Sequence, residues 1–330
     1  MKLSVPIPVY NFAGFLPETL ASIMQQDRVD EVEVLVVDGA STDNTADVMR
    51  DLCAKYSNLR YHRLPEKGGI DRDMAKSVEL SRGEYCWLFS GDDIMNPGAL
   101  KDVLADLDSG HDLYLLKHAE CFGDMRPLHA EYPILEPNEP RAFQLSDKAQ
   151  RLDYFKRAVN SEAFFSFMGG LVVKRSTWNR VPLNPDFVGS CFAHSARFFD
   201  LMKSSGLSVK YTGRVGLSRR GENDSFSDRG LVNRYRIQVE GFHKIVNTFF
   251  GPHSAEAREV RRAVRTEFNR IAVMNLKALC HDRPEIESKQ LLDRLVATGY
   301  SDFTVEDQVT KLLYKWLPIR LIRKYYQGGG

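Results

Sequence analysis

Tyr85-Cys86-Trp87-Leu88-Phe89-Ser90-Gly91-Asp92-Asp93 is an apolar, aromatic run that stops at Ser-Gly and ends in two adjacent aspartates. Such a run reads as a strand buried on both faces, with the acidic pair just beyond its carboxyl end. Ligands of open α/β sheets bind beyond the carboxyl ends of the strands. Two hard oxygen donors there suit Mg2+ or Mn2+, which favour carboxylates together with phosphate oxygens. An Asp-Asp turn that merely caps the amphipathic segment after Pro97 fits the same residues.

Outward from this stretch, strand signals alternate with helix signals. Leu3–Val9 reads as a first strand, closed by Pro8-Val9-Tyr10-Asn11. Leu16, Leu20, Ile23 and Met24 share one helical face, with Pro17 in the first turn. Residues 32–37 form a second buried strand that ends in Asp38-Gly39-Ala40-Ser41-Thr42-Asp43, and Ala46, Met49, Leu52 and Cys53 line the next helix. Residues 59–64 make a third strand, and Lys67-Gly68-Gly69 leads to a short helix over residues 73–81. This alternation predicts a mostly parallel sheet with right-handed crossovers. Asp38 and Asp92-Asp93 then lie on one edge. One can accept hydrogen bonds from a base or ribose. The other can hold a metal on a pyrophosphate, whose developing charge the ion neutralises.

The 330 residues allow one large or two modest domains. A hydrophobic fraction of 43% and a charged fraction of 27% fit a globular chain, and a net charge of +1 gives no electrostatic case for nucleic acid. Cys53, Cys86, Cys121, Cys191 and Cys280 are scattered without metal spacing, which fits a reducing compartment. Met1-Lys2 leads straight into a strand pattern rather than a signal peptide, and no apolar run approaches about 18 residues. The expected location is cytoplasmic.

Five strings follow one another in order: Pro8-Val9-Tyr10-Asn11, Val37-Asp38-Gly39-Ala40-Ser41-Thr42-Asp43-Asn44-Thr45, Lys67-Gly68-Gly69, Arg82-Gly83-Glu84-Tyr85 and Ser90-Gly91-Asp92-Asp93. Over residues 3–110 they resemble the ordered motifs of family 2 glycosyltransferases. The resemblance implies the GT-A fold, which is an α/β, Rossmann-like domain with a mostly parallel sheet. It also implies an NDP-sugar donor, Mn2+ or Mg2+ as cofactor, and a glycan or polyprenyl-linked acceptor. Pro8, Tyr10 and Asn11 match the family's loop near the donor base, and Asp38 matches its base-contacting aspartate. Gly39 stands where a second aspartate is usual. Gly69 and Gly91 match the glycine-bearing donor motifs, Asp92 the metal-binding aspartate, and Asp93 the acid that follows it. Ser90 replaces the first aspartate of D-x-D. The usual Arg-Asn pair would fall on Met74-Ala75, so Arg72 is the candidate cation at the donor; a solvated helix start explains Asp71-Arg72-Asp73 equally simply. Gly68-Gly69-Ile70-Asp71-Arg72-Asp73 with Tyr85-Cys86-Trp87-Leu88-Phe89 resembles the abequosyltransferase-like branch, whose members build bacterial O-antigens and other surface glycans.

Further on, Ala99, Leu100, Val103, Leu104 and Leu107 mark a helix, residues 113–116 a strand, and residues 121–143, with four prolines, a loop or irregular hairpin. Leu152, Phe155 and Val159 suggest a helix, the aromatic residues 163–168 a piece of core, and residues 171–173 a strand. Many family members carry a Glu-Asp pair, including the catalytic base, where this chain has Ala193-His194 at the start of a helix. A histidine has a suitable pKa to deprotonate an acceptor hydroxyl in an inverting transfer. His194 is therefore the first catalytic candidate, unless it only caps or packs the helix start; Asp186 and Asp200 are rival bases, Glu120 a weaker one, and Asp93 is also a catalytic candidate. After a strand at residues 208–212, Arg219-Arg220-Gly221-Glu222-Asn223-Asp224-Ser225-Phe226 resembles the family's R-x-x-N-x-S loop. There Arg219 and Arg220 are expected to reach the donor phosphates, and Asn223 and Ser225 to order the loop.

The expected boundaries are a GT-A domain over residues 1–227, a helical region over 228–327 and a glycine tail over 328–330. Arg258, Arg261, Arg262 and Arg265 read as a solvated helix face. Residues 312–326 mix large apolar groups with cations and no acids, and with Lys311 the cations number five. That profile suits an interfacial segment on anionic lipid, hence peripheral attachment to the inner face of the cell membrane. A terminal helix packed on the domain or on a second subunit, as in a homo-oligomer, has the same pattern. The departures at Ser90 and Ala193 support a competing reading, a catalytically silent nucleotide-sugar-binding or scaffold protein.

Overall fold

The computed structural model describes residues 1–223 and 229–326. Its first part alternates β1 (Leu3–Val9), α1 (Leu16–Met24), β2 (Glu33–Asp38), α2 (Thr45–Lys55), β3 (Leu59–Arg63), α3 (Ile70–Leu80) and β4 (Tyr85–Leu88). The strands β1, β2 and β4 are buried at every position, as parallel strands covered on both faces must be. There follow β5 (Ile94–Met95), α4 (Ala99–Asp106), β6 (Leu113–Cys121), β7 (Pro127–His129), β8 (Arg141–Gln144), α5 (Lys148–Arg157), β9 (Leu171–Lys174), α6 (Arg175–Trp178), α7 (Ala193–Ser204) and β10 (Ser208–Arg220).

Among the described residues these strands make one sheet, ordered β3-β2-β1-β4-β9-β6-β10-β5, with β7 beside β6 and β8 beside β10. Pairings of β1 with β2, β2 with β3, β1 with β4 and β6 with β10 are parallel; β9 runs antiparallel between β4 and β6. The mostly parallel α/β architecture of the GT-A fold is therefore present. Val9 pairs with Asp38, and the Phe89 amide donates to the Pro6 carbonyl, which brings the carboxyl ends of β1, β2 and β4 to one edge.

Two strands outrun their sequence signals. The strand β6 continues through Lys117-His118-Ala119-Glu120 to Cys121, and β10 continues past Thr212 to Arg220. Both extensions carry many polar residues and only weak alternation. Each is held by the other, Leu217 opposite His118, Arg219 opposite Glu120 and Arg220 opposite Cys121, so pairing across nearly a hundred positions replaces local patterning. The helix α3 starts at Ile70 rather than 73, because Gly69 (φ +79°) turns the chain and Asp71 and Asp73 favour the positive end of the helix dipole. The proline-rich stretch 121–143 contains the short strands β7 and β8 as well as loop.

A second compact unit gathers Phe155–Phe164 with the chain from Asn223 onward; residues 1–154 and 165–222 form the first. The expected boundary at 227/228 and Ser225 lie outside the described residues. The helices of this unit are α8 (Leu231–Phe250), α9 (Ala255–Glu267), α10 (Arg270–Asp282), α11 (Lys289–Gly299), α12 (Val305–Trp316) and α13 (Ile319–Tyr326). Arg261 and Arg265 do not form a solvated face: both are largely buried and each lies 2.5 Å from the Asp302 carboxylate. Arg262 instead donates to the carbonyls of Phe155 and Ala158. Among the described residues no helix is long and apolar enough to cross a membrane.

Trp87 keys the central strand. It is fully buried, meets Phe89 edge to face at 5.6 Å, and its indole N–H donates to the Gly169 carbonyl at 2.8 Å. Trp87→Ala is expected to cost about 3–5 kcal/mol, read as a lowered urea midpoint; a loss below about 1 kcal/mol would show that this strand is not the keystone of the core.

Candidate active site

The edge loops are built from short polar side chains that replace backbone partners. Asn11, at φ +60°, accepts from the Thr42 amide at 2.7 Å, while its own amide donates to Ser41 Oγ at 2.8 Å. The Asp43 carboxylate accepts from the amides of Ala13 and Thr45 at 3.2 and 3.0 Å. The loop after β1 is thereby locked to the loop after β2. Asp38 is fully buried. One oxygen accepts from the Ser41 amide at 2.7 Å, the other from the Tyr61 hydroxyl at 2.5 Å, with Arg63 3.6 Å away. Burial and this bond push the Tyr61 hydroxyl up to about 12. Each Asp38 oxygen thus already accepts one bond inside the chain, so the carboxylate expected at the base also holds Ser41 and Tyr61 in place. The Lys67 ammonium stands over the Tyr10 ring, 3.5 Å from its centroid.

At the end of β4, Gly91 sits so close to β1 that a Cβ there would stand 2.7 Å from Val9 Cγ1 and 2.9 Å from the Phe12 ring. The Gly91 carbonyl accepts from Thr19 Oγ1 at 3.1 Å. Asp92 and Asp93 are 8% and 2% exposed. The Ser90 hydroxyl donates to an Asp92 oxygen, so the residue in place of the missing aspartate supports its neighbour. Burial, reinforced by the Asp92 charge, pushes the Asp93 carboxyl up to about 7.

Arg220 ties this turn down. Its amide donates to Asp93 Oδ1 at 2.9 Å, Nε to the Asp92 carbonyl at 3.0 Å, Nη1 to the Gly123 carbonyl at 2.6 Å and Nη2 to Glu18 at 2.5 Å. The guanidinium is only 6% exposed and gives three of its five N–H groups to the chain itself, so Arg220, expected at the donor phosphates, anchors the acidic turn. Arg219 lies 3.9 Å from Glu120 and 5.4 Å from the centroid of the Phe167 ring.

No group of three or more His, Cys, Asp or Glu among the described residues could close around an ion. A divalent cation of the Mg2+ or Mn2+ type does not need one, because it takes one or two carboxylates and completes its shell with substrate phosphates and water. Two crowded carboxylates, one with its pKa raised by burial and by the charge of the other, fit such a cation.

The start of α3 is more acidic and more buried than a solvated helix start. Asp71 accepts the amides of Gly189, Cys191 and Ala193 at 2.8, 3.1 and 3.1 Å and so holds the entry to α7. Next on that helix, His194 is 7% exposed and bonded through Nε2 to the Phe165 carbonyl at 2.9 Å. Burial lowers its pKa below the ordinary histidine value, while the Asp71 charge and the carbonyls of Phe165 and Ser166 oppose that shift. Phe165 and Cys191 both hold positive φ, at +68° and +69°, strained for side-chain-bearing residues. Asp186 lies exposed on the turn Pro185–Phe187, its amide bonded to Asn184.

The structure therefore gathers Pro8, Tyr10, Asn11, Asp38, Gly91, Asp92, Asp93 and Arg220 at the sheet edge, with Gly69 and exposed Arg72 on the neighbouring loop and His194 joined to that loop through Asp71. From sequence, Asp71 and Asp73 entered only as flanks of Arg72, and no local signal singles out Tyr61 or Glu18, whose partners lie far along the chain.

Comparison with known proteins agrees with this geometry. The family model for glycosyl transferase family 2 matches residues 4–169. Abequosyltransferase RfbV of Salmonella typhimurium is 26% identical over 269 residues, 81% of each chain. Among solved structures, Staphylococcus aureus TarS 1–349 in complex with UDP-GlcNAc aligns with a TM-score of 0.63 at 16% identity, over 100% of this chain and 92% of that one. The mannosyltransferase PcManGT of Pyrobaculum calidifontis, in complex with GDP-Man and Mn2+, aligns with a TM-score of 0.54 at 19% identity, over 99% and 88%.

Arg220→Ala is expected to lose about 2–3 kcal/mol, because it strands the Asp92 and Gly123 carbonyls that the guanidinium now satisfies. Chemical denaturation measures this. Arg220→Ala as stable as wild type would remove the anchor from the account.

Proposed function

The chain belongs to glycosyl transferase family 2, and from that premise we propose that it moves a sugar from an NDP-sugar to a glycan or lipid-linked acceptor with inversion at the anomeric carbon. The product belongs to a bacterial surface polysaccharide. The observation that carries this reading is the buried Asp92-Asp93 turn, held by Arg220 at the carboxyl ends of β1, β2 and β4. Asp92, with Asp93 behind it, would hold the divalent ion, which when bound neutralises charge on the departing diphosphate. Arg72, exposed beside Gly69, is placed to meet that diphosphate.

His194 is the base in this proposal. Its Nε2 hydrogen donated to the Phe165 carbonyl fixes one tautomer and leaves Nδ1 as the basic nitrogen. The acceptor hydroxyl gives its proton to His194, its oxygen bonds to the anomeric carbon, and the bond from that carbon to the diphosphate oxygen breaks. The Asp71 carboxylate favours the imidazolium that forms. Asp186, the rival base, lies on an exposed turn.

The second unit suggests how a lipid-linked acceptor is met. Phe303, Val305, Leu312 and Trp316 are 81, 81, 60 and 68% exposed, and positions 305, 309, 312 and 316 make one stripe along α12. Lys311 stands over the Phe303 ring and Lys315 over the Trp316 ring. Aromatic and aliphatic groups flanked by lysines suit the headgroup region of an anionic bilayer. This moves the interfacial face from residues 312–326 onto α12.

Four measurements bear on these points. Release of NDP from a panel of NDP-sugars with Mn2+ is expected for wild type and lost in Asp92→Ala; near-normal turnover in the variant would refute the metal assignment. His194→Ala is expected to slow transfer by about 10² or more. In the pH profile of kcat/KM, activity should fall on the acid side as His194 takes up its proton, and Asp71→Asn should move that limb to lower pH by removing the charge that raises the histidine pKa. An unmoved limb would exclude the pair. Finally, the full chain should co-sediment with vesicles rich in phosphatidylglycerol, lose binding in Leu312→Asp/Trp316→Asp and weaken with salt; equal binding by that variant would exclude the stripe.

A further inference from the structure

The aromatic run at residues 163–168 divides in two. Ala163, Phe164 and Phe165 are fully buried, as a piece of core should be, but Ser166, Phe167 and Met168 are half-buried. Phe167 is held on three sides. A Cβ on Gly169 would stand 2.7 Å from the tip of its ring, so the ring lies over a glycine that must stay bare. His118 meets the ring at 4.6 Å between centroids, and the Arg219 guanidinium stands 5.4 Å from the ring centroid. The fully buried His118 also stacks on half-buried Tyr132, at 5.0 Å with planes 20° apart, and its carbonyl accepts from the Tyr132 amide at 2.8 Å. One buried imidazole thus sets the positions of two rings, Phe167 and Tyr132, that each keep part of their surface open to solvent.

These rings stand between the acidic turn and the candidate base. His118 and Glu120 alternate along β6 and so share one face, opposite Leu217 and Arg219 of β10. Arg219 and His118 lie near enough to Asp93 for their charges to oppose the upward shift of its carboxyl, and the amide of the next residue, Arg220, donates to that carboxyl. On the other side, the carbonyls of Phe165 and Ser166 bond to His194, so the base and the shelf are joined by the short segment 165–167. In the sheet, β6 and β10 lie across β4 and β9 from β1 and β2, whose loops carry Tyr10 and Asp38. The shelf therefore faces the acidic turn from the side away from those donor loops.

The rim of the shelf is polar. Glu120 and Arg219, both half-buried and 3.9 Å apart, offer an acceptor and a set of donors beside the rings. A pyranose fits both features: its axial C–H groups make an apolar face that a ring can cover, and its equatorial hydroxyls reach outward to the rim. A free phosphate is repelled by Glu120 and has no use for the rings. An aliphatic chain would desolvate Glu120 and Arg219 without giving them a partner. We propose that Phe167 and Tyr132 form a subsite for the acceptor sugar, stacking on one face of a neutral hexopyranose while Glu120 and Arg219 take its hydroxyls. This rests on the reading of the chain as an NDP-sugar transferase. His118 is a positioning residue here: it touches both rings and is itself closed to solvent.

The test is saturation-transfer NMR of the full chain with Mg2+ and UDP, CDP or GDP, using the methyl glycosides of glucose, galactose, mannose and rhamnose as probes. Wild type is expected to saturate at least one of them, most strongly on the C–H protons of one ring face. Phe167→Leu keeps the apolar bulk but removes the π face; it should weaken that binding about fivefold, the scale of one stacked ring. Phe167→Tyr should retain it. Tyr132→Ala should act like Phe167→Leu, and it serves alone if Phe167→Leu does not fold. Isothermal titration of the same nucleotides should give wild-type affinity in each variant, which separates this subsite from the donor site. Sugar binding in the folded variants equal to wild type, or no saturated sugar in wild type, would overturn the proposal while leaving the transferase reading intact. Loss of nucleotide affinity in step with the sugar would also overturn it, by assigning the rings to the donor. Failure of wild type to bind any nucleotide would overturn the transferase reading itself, and the acceptor role of the shelf with it.

Discussion

A buried arginine at the end of a strand holds the site together. Arg220 lies 127 positions from Asp93 and 202 from Glu18, yet one guanidinium and its amide join β10 to the turn after β4, to the loop after β6 and to α1. Without it, two adjacent buried carboxylates would have to keep their geometry against their own repulsion. With it, Asp92 and Asp93 are presented at a fixed point beyond the strand ends. The serine before them adds a further hydrogen bond. Rigid placement of this kind is what distinguishes a site that meets a diphosphate from a turn that caps a helix.

A second constraint is steric. Three segments approach one another at the donor edge more closely than side chains would allow: Gly91 against β1, Gly39 beneath Asp73, and Gly68 above it. Each glycine is needed for the space it leaves. The close approach links α3 to the sheet edge through Asp73 on one side, while Asp71 links it to α7 on the other. The sheet edge and the candidate base are therefore joined through residues of one helical turn.

The fold was legible because its strongest signals are local. Strands such as β1, β2 and β4 are apolar at nearly every residue, and the helices between them show single buried faces. The acidic turn, the Asn11 loop and the Gly69 turn were legible because short motifs encode their backbone. What escaped depended on distant partners. The extensions of β6 and β10 exist through each other, and Arg220 looked like a surface cation until β10 carried it inward. Asp38 was read correctly as a strand-end carboxylate but not as one already occupied, since its partner Tyr61 belongs to β3. The arginines of α9 looked solvated because Asp302, which takes two of them, comes about forty positions later.

The most direct test of the whole account is a crystal structure of the chain with an NDP-sugar and Mn2+. The account predicts an anomalous Mn2+ peak on the Asp92 carboxylate beside the diphosphate, with the anomeric carbon open toward His194. A metal or nucleotide bound away from the carboxyl ends of β1, β2 and β4, with Asp92 untouched, would contradict it.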